Sequence, residues 1–587
     1  MKKLFAAFVL MTFASLAGAN YLIEAESFAY PGKWKSTTLR GVSGSGMIQG
    51  GKGDAALGVF LFPEGGNYTV WMRSYSFGGN WRRARLQIGK RVVGSAGDEK
   101  DAALLKYPVF TWGKLKRPVM IQPGKIELTL VSESANTRID ALLFTTDKSF
   151  VPPNGAPLPE NFAVTTLAPA DEREFNAPLK LAVTTDKPAV TYRCNETITF
   201  SVDPLCGGKT AEKGFLSYRL RSDDGLDETK VIPLAGKRIE IKTMMKQPGF
   251  VRLTAELLDS QKRQVSFTDD RNVTTRAEFD GTAGADIDQI RSLPEPEDFD
   301  AFWVKQKARL AEVPLAPVIT DRGLNEAGTF HRYSVSAPCP GIEFKGEKPA
   351  PMTGIYSIPV GAAPKSLKAK IVLPGYGVGE QKPFMQGKTG YIYMAINAHG
   401  MEIGREPEYY AKFAVSRGNY ALTDGDDAEN CYFNGMVLRL LRALEFLKSL
   451  PEWNGVDLEV FGGSQGGLHA LWAAALDPDV TQCEARIPWC CNVGGQTLGL
   501  MKQDFVSLKY GKGRDYYDPV NMAKRIHCPV NVSRAGLGDF TCPPSGIARM
   551  YYNLKCPKEI TWVQNSSHGE DYPADSEKFH FVGTELQ

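Results

Sequence analysis

Apolar residues recur with two different periods along this chain, and the switch between them divides it. From residue 21 to about 148 the alternation has a period of two. "NYTVWMRSYSF", "ARLQIGKRVVG", "GKIELTLVSES" and "RIDALLFTTD" are rich in Val, Ile, Leu, Tyr and Thr, and Gly and Asn turns separate them. They predict an all-β sandwich over residues 20–148. Residues 149–178 are rich in Pro and Ala and read as an extended linker. "LKLAVTTDK", "ETITFSVD", "RIEIKTMM" and "FVRLTAELLD" predict a second sandwich over 179–278, an immunoglobulin-like spacer without evident chemistry. From 279 to 587 strands alternate with helices. "MVLRLLRALEFLKSLP" places Leu440, Leu441, Leu444 and Leu447 on one helical face. "KIVLPGYG", "YIYMAINAHG", "VDLEVFGG", "RIPWCCNVG", "CPVNVSRAGLGD" and "EITWVQNSSHG" read as strands. The expected architecture is two all-β sandwiches followed by an α/β domain with a mostly parallel sheet.

Length and composition agree with a multidomain reading. A chain of 587 residues exceeds one ordinary core, and roughly three to four domains are expected. Apolar residues make up 43% and charged residues 23%, which excludes extensive disorder. A net charge of +3 is too small at this length to suggest a nucleic-acid partner. Residues 1–19 carry Lys2 and Lys3, an apolar run from Leu4 to Leu16, and Ala17-Gly18-Ala19. That is a secretory signal with cleavage after Ala19, so a periplasmic or extracellular location is expected. The apolar run is too short for a membrane anchor, and no later run reaches about 18 residues. Ten cysteines without a C-x-x-C pair permit disulfides but do not suggest zinc.

The chemistry concentrates in "LEVFGGSQGGLHALWAAALD", Leu458 to Asp477. Gly462-Gly463-Ser464-Gln465-Gly466 fits G-x-S-x-G between a strand and a helix, the setting of a nucleophile elbow. The sharp turn lifts the serine hydroxyl above the sheet edge, and glycines spare the turn from steric clash. The helix N-terminus behind it favours negative charge, which makes the Gln465 N–H an oxyanion donor. "VLPGYGVG" supplies a second donor, the Tyr376 N–H. For the base, His568 in the loop "NSSHGED" suits a triad better than His580 in "EKFHFVG". His469 reads as helix packing, and His527 has no evident role. For the acid, Asp539 ends a strand. Glu570 and Asp571 adjoin His568 and are badly placed to orient it.

In the first sandwich Trp71, Tyr75, Trp81 and Trp112 offer aromatic faces for stacking on a sugar. Trp81, in "GGNWRR", has the most loop-like setting. The domain opens on "YLIEAESF" and closes on "RIDALLF", and so resembles carbohydrate-binding modules of families 6 and 35. That resemblance implies a structural calcium held by Glu24, Glu26 and Asp140. Strand alternation would set both glutamates on one face.

"PEDFDAFW", "GGSQGG", "GLGDFTCPPSG" and the late "HGE" together resemble the acetyl xylan esterase and cephalosporin-C deacetylase family, carbohydrate esterase family 7, from about Ala285 to Gln587. The resemblance implies an α/β-hydrolase fold and deacetylation of a polysaccharide or oligosaccharide. Its triad maps onto Ser464, Asp539 and His568, its oxyanion donors onto Tyr376 and Gln465, and catalysis needs no cofactor. The chain departs from the family at "SSHGED" and at "NAHGMEIG", where His399 and Met401 stand near the expected site. Two other readings remain at this point. One is a different hydrolase on the same fold, such as a glucuronoyl esterase or a prolyl-oligopeptidase-like peptidase. The other is a non-catalytic polysaccharide-binding protein. The upstream regions lack the propeller repeat such a peptidase carries. The polymer, the oligomeric state and the disulfide pairing are not readable here.

Overall fold

The computed structural model describes residues 20–28, 35–37, 47–75, 83–89, 91–97, 110–133, 137–152, 163–164, 175–260, 262, 265–268, 274–379, 388–418, 420–422, 425–500, 508, 510–569 and 572–583. The expected signal segment and Trp81 lie outside them. The chain forms two compact units, Met1–Pro178 with Asp259–Arg276, and Leu179–Leu258 with Ala277–Gln587.

In the first unit an eight-stranded and a four-stranded sheet face each other. Alternation selects the contact face. In the strand Ala55–Phe62, Ala56, Phe60 and Phe62 are fully buried. They meet Tyr68, Val70 and Met72 of Gly66–Tyr75 in one cluster with Leu128, Leu130 and Phe144. This is the predicted sandwich core.

The second sandwich has a sheet built on Thr197–Cys206 and another ordered Asp227–Pro233, Phe215–Ser222, Gly249–Leu258, Glu278–Ala285. Ile198, Phe200 and Val202 point inward at every second position. The strand Glu278–Ala285, which spans the sequence boundary at 278, pairs along its whole length with Gly249–Leu258. Phe250 of this sandwich shares one apolar cluster with Ile287, Ile290 and Trp562. Its ring lies 5.7 Å from that of Trp562.

The C-terminal sheet has ten strands in the order Val318–Leu324, Phe330–Ala337, Met352–Pro359, Tyr391–Asn397, Leu367–Leu373, Trp453–Gly463, Gln482–Arg486, Val530–Gly536, Lys558–Val563, Lys578–Gly583. The six strands from Tyr391–Asn397 through Lys558–Val563 run parallel to their neighbours. The outer ladders are antiparallel. "RIPWCCNVG" is not a strand. Pairing ends at Arg486, because Ile487, Cys490 and Asn492 take φ of 34°, 62° and 59° and cannot extend a ladder. The helix Tyr432–Ser449 is buried on more than its leucine face. Its Arg442 donates to the carbonyls of Leu310 and Val313, at 2.9 and 2.7 Å, and so satisfies the end of the helix Phe299–Ala311. The ten cysteines form no disulfide. No helix among the described residues is long and apolar enough to cross a membrane.

His469, on the helix Gln465–Leu476, is stacked on Trp472 at 5.0 Å between centroids. Among the described residues neither of its ring nitrogens has a hydrogen-bond partner. Burial, with the charge of Arg439, pushes its pKa from 6.5 down to about 3. The unfolded chain therefore takes up a proton below pH 6.5 that the folded chain refuses, and stability is lost as the pH falls toward 3. His469→Leu should flatten that acid limb. The gain should be about 3 kcal/mol or less at pH 4 and small at pH 7, read from urea unfolding at the two pH values.

Candidate active site

Four segments from opposite sides of the sheet's centre converge at Ser464. The strand Trp453–Gly463 delivers the serine, and the helix starting at Gln465 leaves from it. Ser464 takes φ 56° and ψ −119°, a conformation costing about 1–3 kcal/mol for a residue with a side chain. The glycines beside it are required. A Cβ on Gly462 would sit 2.4 Å from the Gly466 carbonyl, and one on Gly466 would sit 2.4 Å from the Leu373 carbonyl oxygen. The turn is tied down from both sides. The Ser464 N–H donates to Arg486 O at 3.0 Å, and Ser464 O accepts from Leu468 and Trp489, both at 3.1 Å.

The loop after Val530–Gly536 brings Asp539, which is fully buried. Its Oδ1 accepts from the Thr541 and Cys542 N–H groups at 3.0 and 2.9 Å, and its Oδ2 faces His568 Nδ1 at 2.9 Å. Three donors thus converge on this one carboxyl group. It also fixes the imidazole with Nδ1 protonated, leaving Nε2 as the ring's acceptor. Cys542 lies between the groups. Its thiol lies near the Ser464 side chain, and burial keeps it protonated, well above its usual pKa. Its sulfur, a carboxylate oxygen of Asp539 and a ring nitrogen of His568 lie within 4.8 Å of one another. Among the described residues this is the one His, Cys, Asp and Glu group tight enough to share an ion. Its carboxylate–imidazole hydrogen bond is the geometry of acyl-transfer chemistry. His580 instead meets Thr561 Oγ1 at 3.1 Å across an edge-strand pair.

The other half of the site is the loop Pro374–Gly377, and here residues without a sequence motif matter. The Gln465 side chain donates through Nε2 to Gly375 O at 3.3 Å and accepts the Tyr420 hydroxyl. His399 lies 3.0 Å from Gly377 O through Nε2 and 2.8 Å from the Tyr432 hydroxyl through Nδ1. A carbonyl only accepts, so Nε2 carries the hydrogen and Nδ1 accepts from Tyr432. Burial, with the charge of Arg439 as a second cause, lowers the His399 pKa to about 3 and keeps the ring neutral. Tyr376 stacks on Tyr420 at 5.1 Å and meets Trp489 edge-on at 5.3 Å. Carbonyls on both sides of Tyr376 are therefore pinned. Tyr420, Tyr432 and Trp489 come from segments whose sequence shows ordinary core aromatics.

The N-terminal candidates are placed differently. Tyr75 and Trp112 are each 8% exposed. Tyr75 packs on Phe110 and Trp112 packs with Trp71, so neither presents an open ring face. Asp140 is fully buried and pairs with the Arg73 guanidinium at 2.5 Å. Glu24 ends its strand and Glu26 sits in the 3-10 turn after it, so strand alternation does not align the two.

The brace around Tyr376 makes a prediction. His399→Leu should lower kcat on a chromogenic acetate ester by roughly tenfold to a hundredfold while KM stays near its original value. On the reading of the Tyr376 N–H as an oxyanion donor, loosening it costs transition-state binding rather than ground-state binding. Steady-state kinetics check this, and an equal rise in KM with constant kcat would contradict it.

The acetyl esterase Axe7A of Xylanibacter ruminicola is 32% identical over 292 residues, which is 46% of this chain and 63% of that protein. The chain thus spans less than two thirds of that curated relative. A solved acetyl xylan esterase from Paenibacillus sp. R4 is 24% identical, covers 48% of this chain and 93% of its own, and has a TM-score of 0.39. The C-terminal family 6 carbohydrate-binding module of a marine laminarinase from Zobellia galactanivorans is 20% identical, covers 22% of this chain and 99% of its own, and has a TM-score of 0.19. Residues 287–498 and 512–583 match the acetyl xylan esterase family model, and the C-terminal half of this chain belongs to the acetyl xylan esterase family.

Proposed function

We propose that this protein is an exported serine esterase that removes O-acetyl groups from plant polysaccharide or oligosaccharide. The observation that carries the reading is the Asp539–His568 hydrogen bond, 2.9 Å long, beside a serine in a strained elbow. Membership of the C-terminal half in the acetyl xylan esterase family supports the acyl group.

The chemistry runs in two halves. His568 Nε2 accepts the Ser464 Oγ proton as the oxygen attacks the ester carbonyl carbon. Asp539 stays ionised and stabilises the imidazolium. The N–H groups of Tyr376 and Gln465 hold the tetrahedral oxyanion, an effect of about 3 kcal/mol per donor in comparable sites. The C–O bond to the sugar breaks, and the imidazolium proton passes to the departing alcohol oxygen. Water then repeats the sequence on the acetyl-serine and releases acetate. No metal or organic cofactor takes part in these steps. Residues 20–148 act in this reading as a carbohydrate-binding module that keeps the enzyme near its polymer.

Two experiments test it. Ser464→Ala and His568→Ala should each reduce acetate release to a few percent or less, while His580→Ala stays near the parent rate. Acetylated xylan, pectin and mannan offered in parallel identify the polymer. A Ser464→Ala protein with substantial activity would rule out this nucleophile.

Deleting residues 20–148 should lower acetate release from the preferred polymer and leave hydrolysis of a chromogenic acetate unchanged. A tethered module raises the effective concentration of the enzyme only near a substrate it can hold. Equal loss on both substrates would make the domain structural.

A further inference from the structure

Part of what holds Asp539 and His568 lies upstream of the family segment, which starts at residue 287. The strand Glu278–Ala285 of the second sandwich runs against both catalytic loops. On the histidine loop, Gln564 Oε1 accepts from the Thr282 N–H at 3.0 Å, and Gln564 Nε2 donates to Thr282 O at 2.9 Å. The side chain thus mimics a neighbouring strand. Next to it, Asn565 Oδ1 accepts from the Asp280 N–H at 3.0 Å. On the acid loop the contacts flank Asp539. A Cβ on Gly538 would sit 2.1 Å from Asp280 O, so the two backbones touch at a distance only glycine allows. On the other side the Arg252 guanidinium lies 3.8 Å over the Phe540 ring. That guanidinium is held by the Asp280 carboxylate, with Nε–Oδ1 at 2.7 Å and Nη2–Oδ2 at 2.5 Å. The two loops are also joined directly, Gly538 N–H to Ser566 O at 3.1 Å and Leu537 N–H to Val563 O at 2.8 Å.

We propose that the strand Glu278–Ala285, with Arg252 beside it, is a working part of the active site that sets the Asp539–His568 distance. Gln564, Asn565 and Arg252 are its positioning residues. The proposal rests on the catalytic reading of Ser464, Asp539 and His568. Its physical basis is that two loops at the rim of a sheet have few internal hydrogen bonds to hold a side-chain geometry. A paired strand supplies fixed donors and acceptors to both. Both faces of the contact are fitted, since a Cβ on Gly281 would also fall 2.2 Å from Gln564 Oε1. The second sandwich is then no spacer. It serves the esterase as a template for two of three catalytic side chains.

The test uses the full chain. Asn565 sits at φ 51°, which glycine also adopts, so Asn565→Gly removes the acceptor and keeps the turn. It should lower kcat on a chromogenic acetate roughly tenfold with KM little changed, as expected for misplaced catalytic groups. It should also weaken the low-field proton resonance of the His568 Nδ1–H. Asn565→Asp keeps the Oδ1 acceptor and should restore most of both signals. Gln564→Met keeps the side chain's length and carries the same test independently. Unchanged kcat and resonance in both Asn565→Gly and Gln564→Met overturn the proposal, whatever the Tm does. So does an Asn565→Asp protein as impaired as Asn565→Gly. Ser464→Ala is assayed alongside. If it stays active, the catalytic reading itself fails. If it is inactive while the other variants are normal, only the sandwich's role fails.

Discussion

The backbone of Ser464 is the constraint on which the rest depends. A side-chain-bearing residue at φ 56° and ψ −119° is held there at a cost of about 1–3 kcal/mol. The offset comes from all sides of the turn. Arg486 O, Leu468 N–H and Trp489 N–H take up the serine's own backbone groups. Two parallel neighbours, Leu367–Leu373 and Gln482–Arg486, keep the strand behind it from yielding. Gly462 and Gly466 are the consequence, since any side chain there would meet main chain at 2.4 Å. Once the elbow is set, the hydroxyl, the helix N-terminus and the Gln465 N–H share one small region.

What surrounds the elbow is precise because its buried polar groups are hydrogen-bonded. On one side His399, buried and kept uncharged, gives one hydrogen to Gly377 O and receives one from Tyr432. A charged residue at this depth would need a partner and would carry a large desolvation cost. Gln465 reaches across to Gly375 O, so the residue that follows Ser464 also steadies the loop that carries Tyr376. On the other side the buried Asp539 carboxyl group is satisfied by two backbone N–H groups and the imidazole. The second sandwich contributes through main-chain groups of Asp280 and Thr282 and through the Arg252–Asp280 pair.

The thiols near the site belong to the same picture. Cys542 lies near the Ser464 side chain, and Cys490 and Cys491 are buried next to Trp489 in the sequence. Burial raises all three thiols well above their usual pKa, so they serve as small apolar side chains and weak donors.

Read by itself, the sequence determined the features that short-range physics controls. The strand-turn-helix around Gly462–Gly466 was legible because steric limits at a sharp turn act over five residues. That Asp539 and His568 stand in strand-end loops was legible because such loops carry their own signals, and the structure pairs the two side chains. The alternation of Thr197–Cys206 and Ala55–Phe62 marked the sandwiches, since a pleated strand buries every second side chain. The run "RIPWCCNVG" misled, because its apolar composition reports burial and not the left-handed φ of Ile487, Cys490 and Asn492. Aromatic composition likewise could not separate Tyr75 and Trp112, both nearly buried, from a binding platform. The tertiary structure alone decided that His399 braces Gly377, that Tyr420 holds Gln465, and that Asp280 lies against Gly538. These pairs stand 22, 45 and 258 positions apart. No local period or motif links such residues; only the register of the folded sheets brings them within hydrogen-bond reach.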